Sequence, residues 1–155
     1  MKKTENHISP ARQSGFSLME VLIALLIMSI GLLGLAALQA TSLKANHGAY
    51  QRTQATFLAY DIMDRMRANR IQAANGEYNI AMAASPPSPG STLSSTDLND
   101  WFTNFVQVLL PGGDASINCN NSAVCTVTVQ WDESRLGGTA TSGSAISTFS
   151  FTAEL

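Results

Sequence analysis

The sequence predicts an α+β fold in which a long N-terminal helix, its first half embedded in a membrane, packs on a small antiparallel β-sheet. Three observations lead to this prediction. An uncharged run of 23 residues covers 21–43. Apolar residues then recur with a helical period, and the last third of the chain alternates apolar and polar residues as half-buried strands do.

The uncharged run is long enough to cross a bilayer. As an α-helix, 23 residues extend roughly 35 Å, whereas the hydrocarbon core is about 30 Å thick. The preceding segment, 1–15, carries Lys2, Lys3 and Arg12 against a single acid, Glu5. A basic flank of this kind is retained on the cytoplasmic side. The sequence therefore predicts a single-pass inner-membrane protein with its C-terminal domain in the periplasm.

Two simpler interpretations of the apolar run are a secretory signal and a plain membrane anchor. A cleaved secretory signal has an apolar region of about 7–15 residues followed by a small-residue cleavage site, and only 36–40 matches such a site, loosely. A plain membrane anchor explains the apolar run. It does not explain the Gly15-Phe16 junction or the carboxylate of Glu20 at the start of the run.

The residues Gly-Phe-Ser-Leu-Met-Glu at 15–20, followed by an apolar helix, resemble the class III signal of type IV prepilins and pseudopilins. The resemblance implies that prepilin peptidase cuts between Gly15 and Phe16 and that Phe16 is then N-methylated. It also implies that Glu20 pairs with the terminal amine of a neighbouring subunit during assembly. The sequence leaves two other roles for Glu20 open: pairing with the amine of its own chain, or reaching into water at the membrane surface.

Helix-ending and loop-forming residues predict the domain organisation. Apolar residues at helical spacing extend the first helix beyond the membrane, Asn75-Gly76 ends it, and a run rich in proline and serine forbids helix after it. Ser95 or Thr96 is the expected N-cap of a second helix. The predicted segments are a leader (1–15), a transmembrane and assembly helix (16–43) and a periplasmic head (44–155), the head comprising a helix to about 74, a loop (75–96), a helix (97–110) and a β-sheet (117–155).

The predicted apolar faces are core positions. On the first helix they are Ala55, Leu58, Ala59, Ile62 and Met66. Two strands follow from period-two alternation, one with an apolar face of Cys125, Val127, Val129 and Trp131, the other covering 146–153 with Phe149, Phe151 and Ala153 on one face. A short strand at 117–119 and a turn or loop at 132–138 complete the predicted sheet.

The two cysteines, Cys119 and Cys125, predict a disulfide because an even pair oxidises in the periplasm. Only His7 and His47 could add imidazole ligands, so the sequence predicts no metal site and no cofactor. No nucleophile, base and acid can be grouped, and no phosphate-binding glycine loop is present, so the chain is not expected to be an enzyme. A net charge of −2 gives no reason to expect a nucleic-acid partner.

Within the pilin family, 61–69 resembles the corresponding segment of PilV-type minor pilins. Major pilins often carry proline at the position of Ala37, which also favours a minor component. The resemblance implies a role in priming pilus assembly and forming the tip complex. The implied partners are prepilin peptidase, other minor pilins, the major pilin, the inner-membrane assembly machinery and sometimes a tip adhesin. The alternatives are a minor pseudopilin of a type II secretion system and, in another class, a membrane-tethered periplasmic binding module.

Overall fold

The computed structural model describes residues 15–120, 122–134 and 145–155. The chain forms two compact units, one ending at Thr41 and the other running from Ser42 to Leu155. Apart from Gly15, the predicted leader lies outside the described residues, as does 135–138 of the predicted turn. Each unit is described by itself below.

Helix α1 covers Leu18–Ala68, and all its buried residues lie in the second unit. They fall on one helical face, as the spacing predicts, and comprise Gln51, Ala55, Leu58, Ala59, Ile62, Met63 and Met66. The helix does not run unbroken to 74. It is interrupted at Asn69, and a short helix α2 follows over Arg70–Ala74.

The second helical segment starts earlier than the sequence suggests. Helix α3 covers Leu93–Asp100, a π-helical segment follows over Trp101–Val106, and α4 covers Gln107–Leu109. The expectation of Ser95 or Thr96 as N-cap is wrong, because Thr92 is the cap. Thr92 Oγ1 accepts from the Ser95 N–H (3.1 Å) and Ser95 Oγ accepts from the Thr92 N–H (3.1 Å). Ser95 is thus the third helical residue of a reciprocal capping box.

The sheet is antiparallel, with strand order β1-β2-β3. Its strands are β1 (Asp114–Cys119), β2 (Val124–Asp132) and β3 (Ile146–Glu154). The sheet begins before the predicted residue 117 because Asp114 already pairs with Gln130. One face carries hydroxyl pairs, Thr126 with Thr152 (2.8 Å) and Thr128 with Ser150 (2.9 Å).

The other face of the sheet is the core of the second unit. Buried residues from β1 and β2 pack there with those of α1 and with Trp101, whose Nε1–H donates to the Leu58 carbonyl oxygen (3.0 Å). Phe149, Phe151 and Ala153 of β3 pack against this core and are only partly buried. The predicted apolar strand faces are therefore the faces that meet the core.

The segment predicted as a loop, 75–96, contributes to the core through Tyr78 and Ile80. Ile80 makes a two-bond bridge with Ile117 of β1, its N–H donating at 3.0 Å and its carbonyl accepting at 2.9 Å. Two apolar residues beside a turn show neither a helical nor an alternating period, so their burial could not be predicted from the sequence.

Candidate functional site

The first candidate site is the start of α1. Gly15, Phe16 and Ser17 are not helical, and the helix begins at Leu18. Ser17 is the N-cap, because its Oγ accepts from the Met19 N–H (3.3 Å) and its carbonyl accepts from the Glu20 N–H (3.0 Å). The Gly15–Phe16 peptide bond therefore lies outside the helix, and the Phe16 side chain is 83% exposed.

Glu20 lies in the first turn of α1. A carboxylate here is favoured by the partial positive charge of the helix N-terminus. Its side chain is exposed, and within 15–120, 122–134 and 145–155 no hydrogen bond or ion pair reaches it. The site thus contains a carboxylate that has no partner among the described residues and lies at the start of an apolar helix.

Packing among the described residues does not require a glycine at position 15. A Cβ atom added at Gly15 would have no described atom within 4 Å.

The other described residues of the first unit form an exposed apolar helix. Its most apolar 18-residue window has a mean hydropathy of 2.8, and no residue of that window is buried. By length and composition this helix can cross a membrane. In this unit the predicted site residues Gly15, Phe16 and Glu20 fall within one short stretch around the helix start.

The second unit contains a polar cluster between α1 and α3 that is centred on Arg65. The guanidinium bonds Asp61 (3.2 Å) and Asp100 (2.9 Å), lies 3.9 Å from Asp97, and its Cζ is 5.6 Å from the centre of the Phe105 ring. Burial works to lower the pKa of Arg65. The hydrogen bond to Asp100 and the surrounding carboxylates outweigh burial, so that the pKa is raised.

Hydrogen bonds hold the Asp100 carboxylate in its charged form. Asn104 Nδ2 donates at 2.8 Å, and this bond is the main cause of a pKa below the ordinary value; the bond from Arg65 adds to it. The Asp61–Arg65 pair joins residues four apart on one helix. The contacts of Arg65 with α3 depend on helix packing, which a pattern in one helix does not reveal.

Tyr78 extends the same cluster. Its hydroxyl donates to Asp97 Oδ2 (2.7 Å) and accepts from Asn69 Nδ2 (3.2 Å). Burial, followed by the hydrogen bond to Asp97, raises the pKa of Tyr78 to about 12. These hydrogen bonds connect the helices of the cluster, and their role is structural.

Cys119 and Cys125 form a disulfide, as predicted, and are paired across β1 and β2. Asn79 also contacts β1 at the disulfide: its Oδ1 accepts a hydrogen bond from the Cys119 N–H (2.7 Å). In the part of the chain that the structure describes, no group of three or more His, Cys, Asp or Glu side chains is placed to hold a metal ion.

Ser17 was missed by the sequence analysis as a functional residue. The signal that could have found it is the spacing Ser-x-x-Glu at 17–20, which is typical of helix N-termini.

Comparison with known proteins adds two matches that adjoin along the chain. Residues 10–36 match a family model described as "Prokaryotic N-terminal methylation motif". Residues 37–97 match a family model described as "Type IV pilin Tt1218". No curated protein sequence matches the chain, and no solved structure matches it.

Proposed function

Because the chain belongs to the type IV pilin family, we propose that it is a PilV-like minor pilin that helps to prime pilus assembly and to form the tip complex. In this proposal prepilin peptidase removes 1–15, Phe16 becomes the N-methylated terminus, and α1 remains in the mature chain. The protein acts structurally, as pilins do.

The observation that carries the proposal is the carboxylate of Glu20, which has no partner among the described residues and lies in the first turn of an exposed apolar helix. A carboxylate that enters a bilayer or a dry helical bundle is costly unless it is paired. Cleavage after Gly15 creates an α-amine at Phe16, and methylation to a secondary amine keeps its positive charge. The amine of a neighbouring subunit then supplies the missing counter-charge of Glu20.

The geometry of the junction supports cleavage. The bond between Gly15 and Phe16 precedes the helix, and the Ser17 cap lies on the mature side of the cut. Packing among the described residues does not require a glycine at this position. Recognition by the peptidase gives a reason for it.

We further propose that the protein is a single-pass inner-membrane protein with its head in the periplasm before assembly into the extracellular pilus. The Cys119–Cys125 disulfide supports an oxidising compartment for the head. The partners would be the major pilin, other minor pilins, the inner-membrane assembly machinery and a tip adhesin. The Ala37 position, where major pilins often carry proline, supports a minor role.

Mass spectrometry of the mature chain tests the processing step. The expected N-terminus is Phe16 with one methyl group, and Gly15→Val should leave the leader attached. Gly31→Val is the matched control, because a side chain at Gly31 also meets no atom within 4 Å. A wild-type protein that retains its leader in cells would contradict the proposal and favour a membrane-tethered periplasmic binding module.

Assembly is tested with Glu20→Ala, which should reduce piliation strongly, while Glu20→Asp should retain part of it because the charge remains. Glu154→Ala, at an exposed carboxylate of β3, is the control. Normal piliation in Glu20→Ala would overturn the pairing role. Deletion of the protein should reduce surface pili and twitching motility; a loss of exoprotein secretion with intact pili would instead identify a type II secretion pseudopilin.

A further inference from the structure

Helix α4 lies beside α1 close to the point where the uncharged run ends. That run ends at Leu43, which belongs to the second unit together with the head. A cavity of about 310 Å³ lies within the next two turns of α1. His47 and Tyr50 line the cavity from α1, and Val108 and Leu109 line it from α4. The two helices therefore meet the same small space near the end of the apolar run.

The apolar side chains around this space are exposed. Val108 is 70% exposed and Leu109 is 40% exposed. Tyr50 is 54% exposed, and its ring lies parallel to the ring of His47, with the centres 6.4 Å apart. Large apolar side chains grouped on a surface mark a contact with protein or with lipid. Tyrosine is enriched where lipid meets water, so this surface has the composition of a lipid–water interface.

Distances along α1 place the surface near lipid headgroups once the uncharged run spans a bilayer. The run extends roughly 35 Å, about 5 Å more than the hydrocarbon core, and a helix accommodates such an excess by tilting. Tyr50 follows Leu43 by seven residues, which is roughly 10 Å along the helix axis. Helix side chains lean towards the N-terminus, so the Tyr50 ring returns towards the run. The headgroup layer on each side is about 5–8 Å thick.

The polar residues at this point also suit the lipid–water interface. The exposed Lys44 directly follows the run, and a lysine there extends its ammonium group to lipid phosphates. Gln51, Gln107 and Asp132 contribute polar groups to the cavity. Hydrocarbon would penalise these groups, whereas the headgroup layer hydrates them. Because the surface continues along α1 from the run that we assign to the bilayer, lipid is the partner that it meets first.

We propose that Val108 and Leu109, at the end of α4, insert into the lipid–water interface of the membrane that α1 crosses. Helix α1 tilts towards the side that carries α4, because a tilt the other way would lift both side chains away from lipid. This contact requires the uncharged run to span the inner membrane and so rests on the proposed function. It holds the head in one orientation on the periplasmic surface, and incorporation into a filament breaks it.

The test uses the full chain in nanodiscs of phosphatidylethanolamine and phosphatidylglycerol. The two cysteines of the chain are joined in the disulfide, so an introduced cysteine can be labelled selectively with the environment-sensitive fluorophore nitrobenzoxadiazole. Labels at Val108→Cys and Leu109→Cys should be quenched by spin-labelled lipid headgroups at least about twofold more strongly than a label at Ile71→Cys. Ile71 is the matched control, because it is 72% exposed and lies in α2, beyond the other end of α1.

Charge substitutions test the contact from the protein side. With the label at the exposed neighbouring position, Gln107→Cys, the double variant Val108→Asp/Leu109→Asp should lower headgroup quenching at least about twofold, because carboxylates are costly at the acyl boundary and are repelled by anionic lipid. Ile71→Asp should leave this quenching unchanged. Both replaced side chains of α4 are exposed, and thermal unfolding shows whether each variant is folded.

Quenching at Val108 no stronger than at Ile71, or unchanged quenching in the double aspartate variant, would overturn the contact. A blue shift at Val108 that grows with protein concentration and does not respond to the lipid quencher would show that a second copy covers the surface, and would also overturn it. A label at Leu33→Cys, within the uncharged run, separates the two levels of failure. If acyl-chain quenchers reach Leu33 while headgroup quenchers do not reach Val108, only the contact is wrong; if Leu33 is not quenched either, the membrane span of the proposed function is wrong as well.

Discussion

The two parts of helix α1 differ in how their apolar side chains are arranged. In the first unit the large apolar side chains are exposed on every side of the helix, and none of the residues from 15 to 41 is buried. In the second unit one face is buried in a core, and the opposite face is charged. The difference shows that a helix apolar on all sides requires lipid or other helices around it, whereas a one-sided helix completes a core within its own chain.

The largest effect expected from this comparison comes from the same substitution made in each part. Leu58 is 3% exposed and Leu33 is 72% exposed. Leu58→Ala should lower the free energy of unfolding of the head by about 2–5 kcal/mol, because it leaves a cavity. Leu33→Ala should leave that free energy unchanged. Urea unfolding of the full chain in detergent measures both, and equal effects would contradict the division of the helix.

The buried polar bonds of the head should give it a pH dependence at alkaline pH. The pKa of Tyr78 is raised from 10.0 to about 12 in the folded state. The stability that this shift represents is therefore present below pH 10 and lost as the pH rises from 10 to 12. The loss should be on the order of 2 kcal/mol.

Unfolding measured from pH 8 to 12 tests this expectation. Tyr78→Phe should be less stable at pH 8, because it loses the hydrogen bond to Asp97, and should lack the additional alkaline loss. Tyr50→Phe, at an exposed tyrosine, should keep the wild-type profile. Identical profiles for Tyr78→Phe and wild type would show that Tyr78 does not cause the alkaline loss.

The disulfide should stabilise the head by a comparable or smaller amount. Replacing Cys119 and Cys125 together by alanine should lower the free energy of unfolding by about 2 kcal/mol, because the bridge closes only a short loop. The helical circular-dichroism signal of the membrane segment in detergent should not change. An unfolding midpoint equal to that of the wild type would show that the disulfide does not stabilise the head.

The smallest expected effect on stability comes from the helix N-caps, Thr92 of α3 and Ser17 of α1. Thr92→Ala should cost the head about 1 kcal/mol, since it removes half of a capping box. Ser17→Ala removes the cap of α1 in the other unit and should leave unfolding of the head unchanged. Thr96→Ala is the control within α3, and thermal unfolding of all three provides the measurement. A larger effect from Thr96 than from Thr92 would reverse the assignment of the cap.

Much of the fold could be predicted because its signals are local. The helical recurrence at Ala55, Leu58 and Ile62 and the alternation at Val127 and Val129 depend only on which residues face the core. The junction at 15–20 could likewise be predicted, since its motif consists of consecutive residues. Contacts between residues of different helices, strands and loops could not be predicted in this way.

The buried Tyr78, for example, donates a hydrogen bond to Asp97 and accepts one from Asn69, and these partners are 19 and 9 residues away in sequence. The cap at Thr92 was missed for a related reason. Ser95 and Thr96 are equally good capping residues, and only the reciprocal bonds at 92 decide where the helix begins.

The bridge between Ile80 and Ile117 joins the segment after α2 to β1 by two backbone hydrogen bonds. A strand of another molecule could pair with β1 at Ile117 only after this bridge opened. The chain thus uses its own backbone to protect part of an edge strand against pairing with other chains.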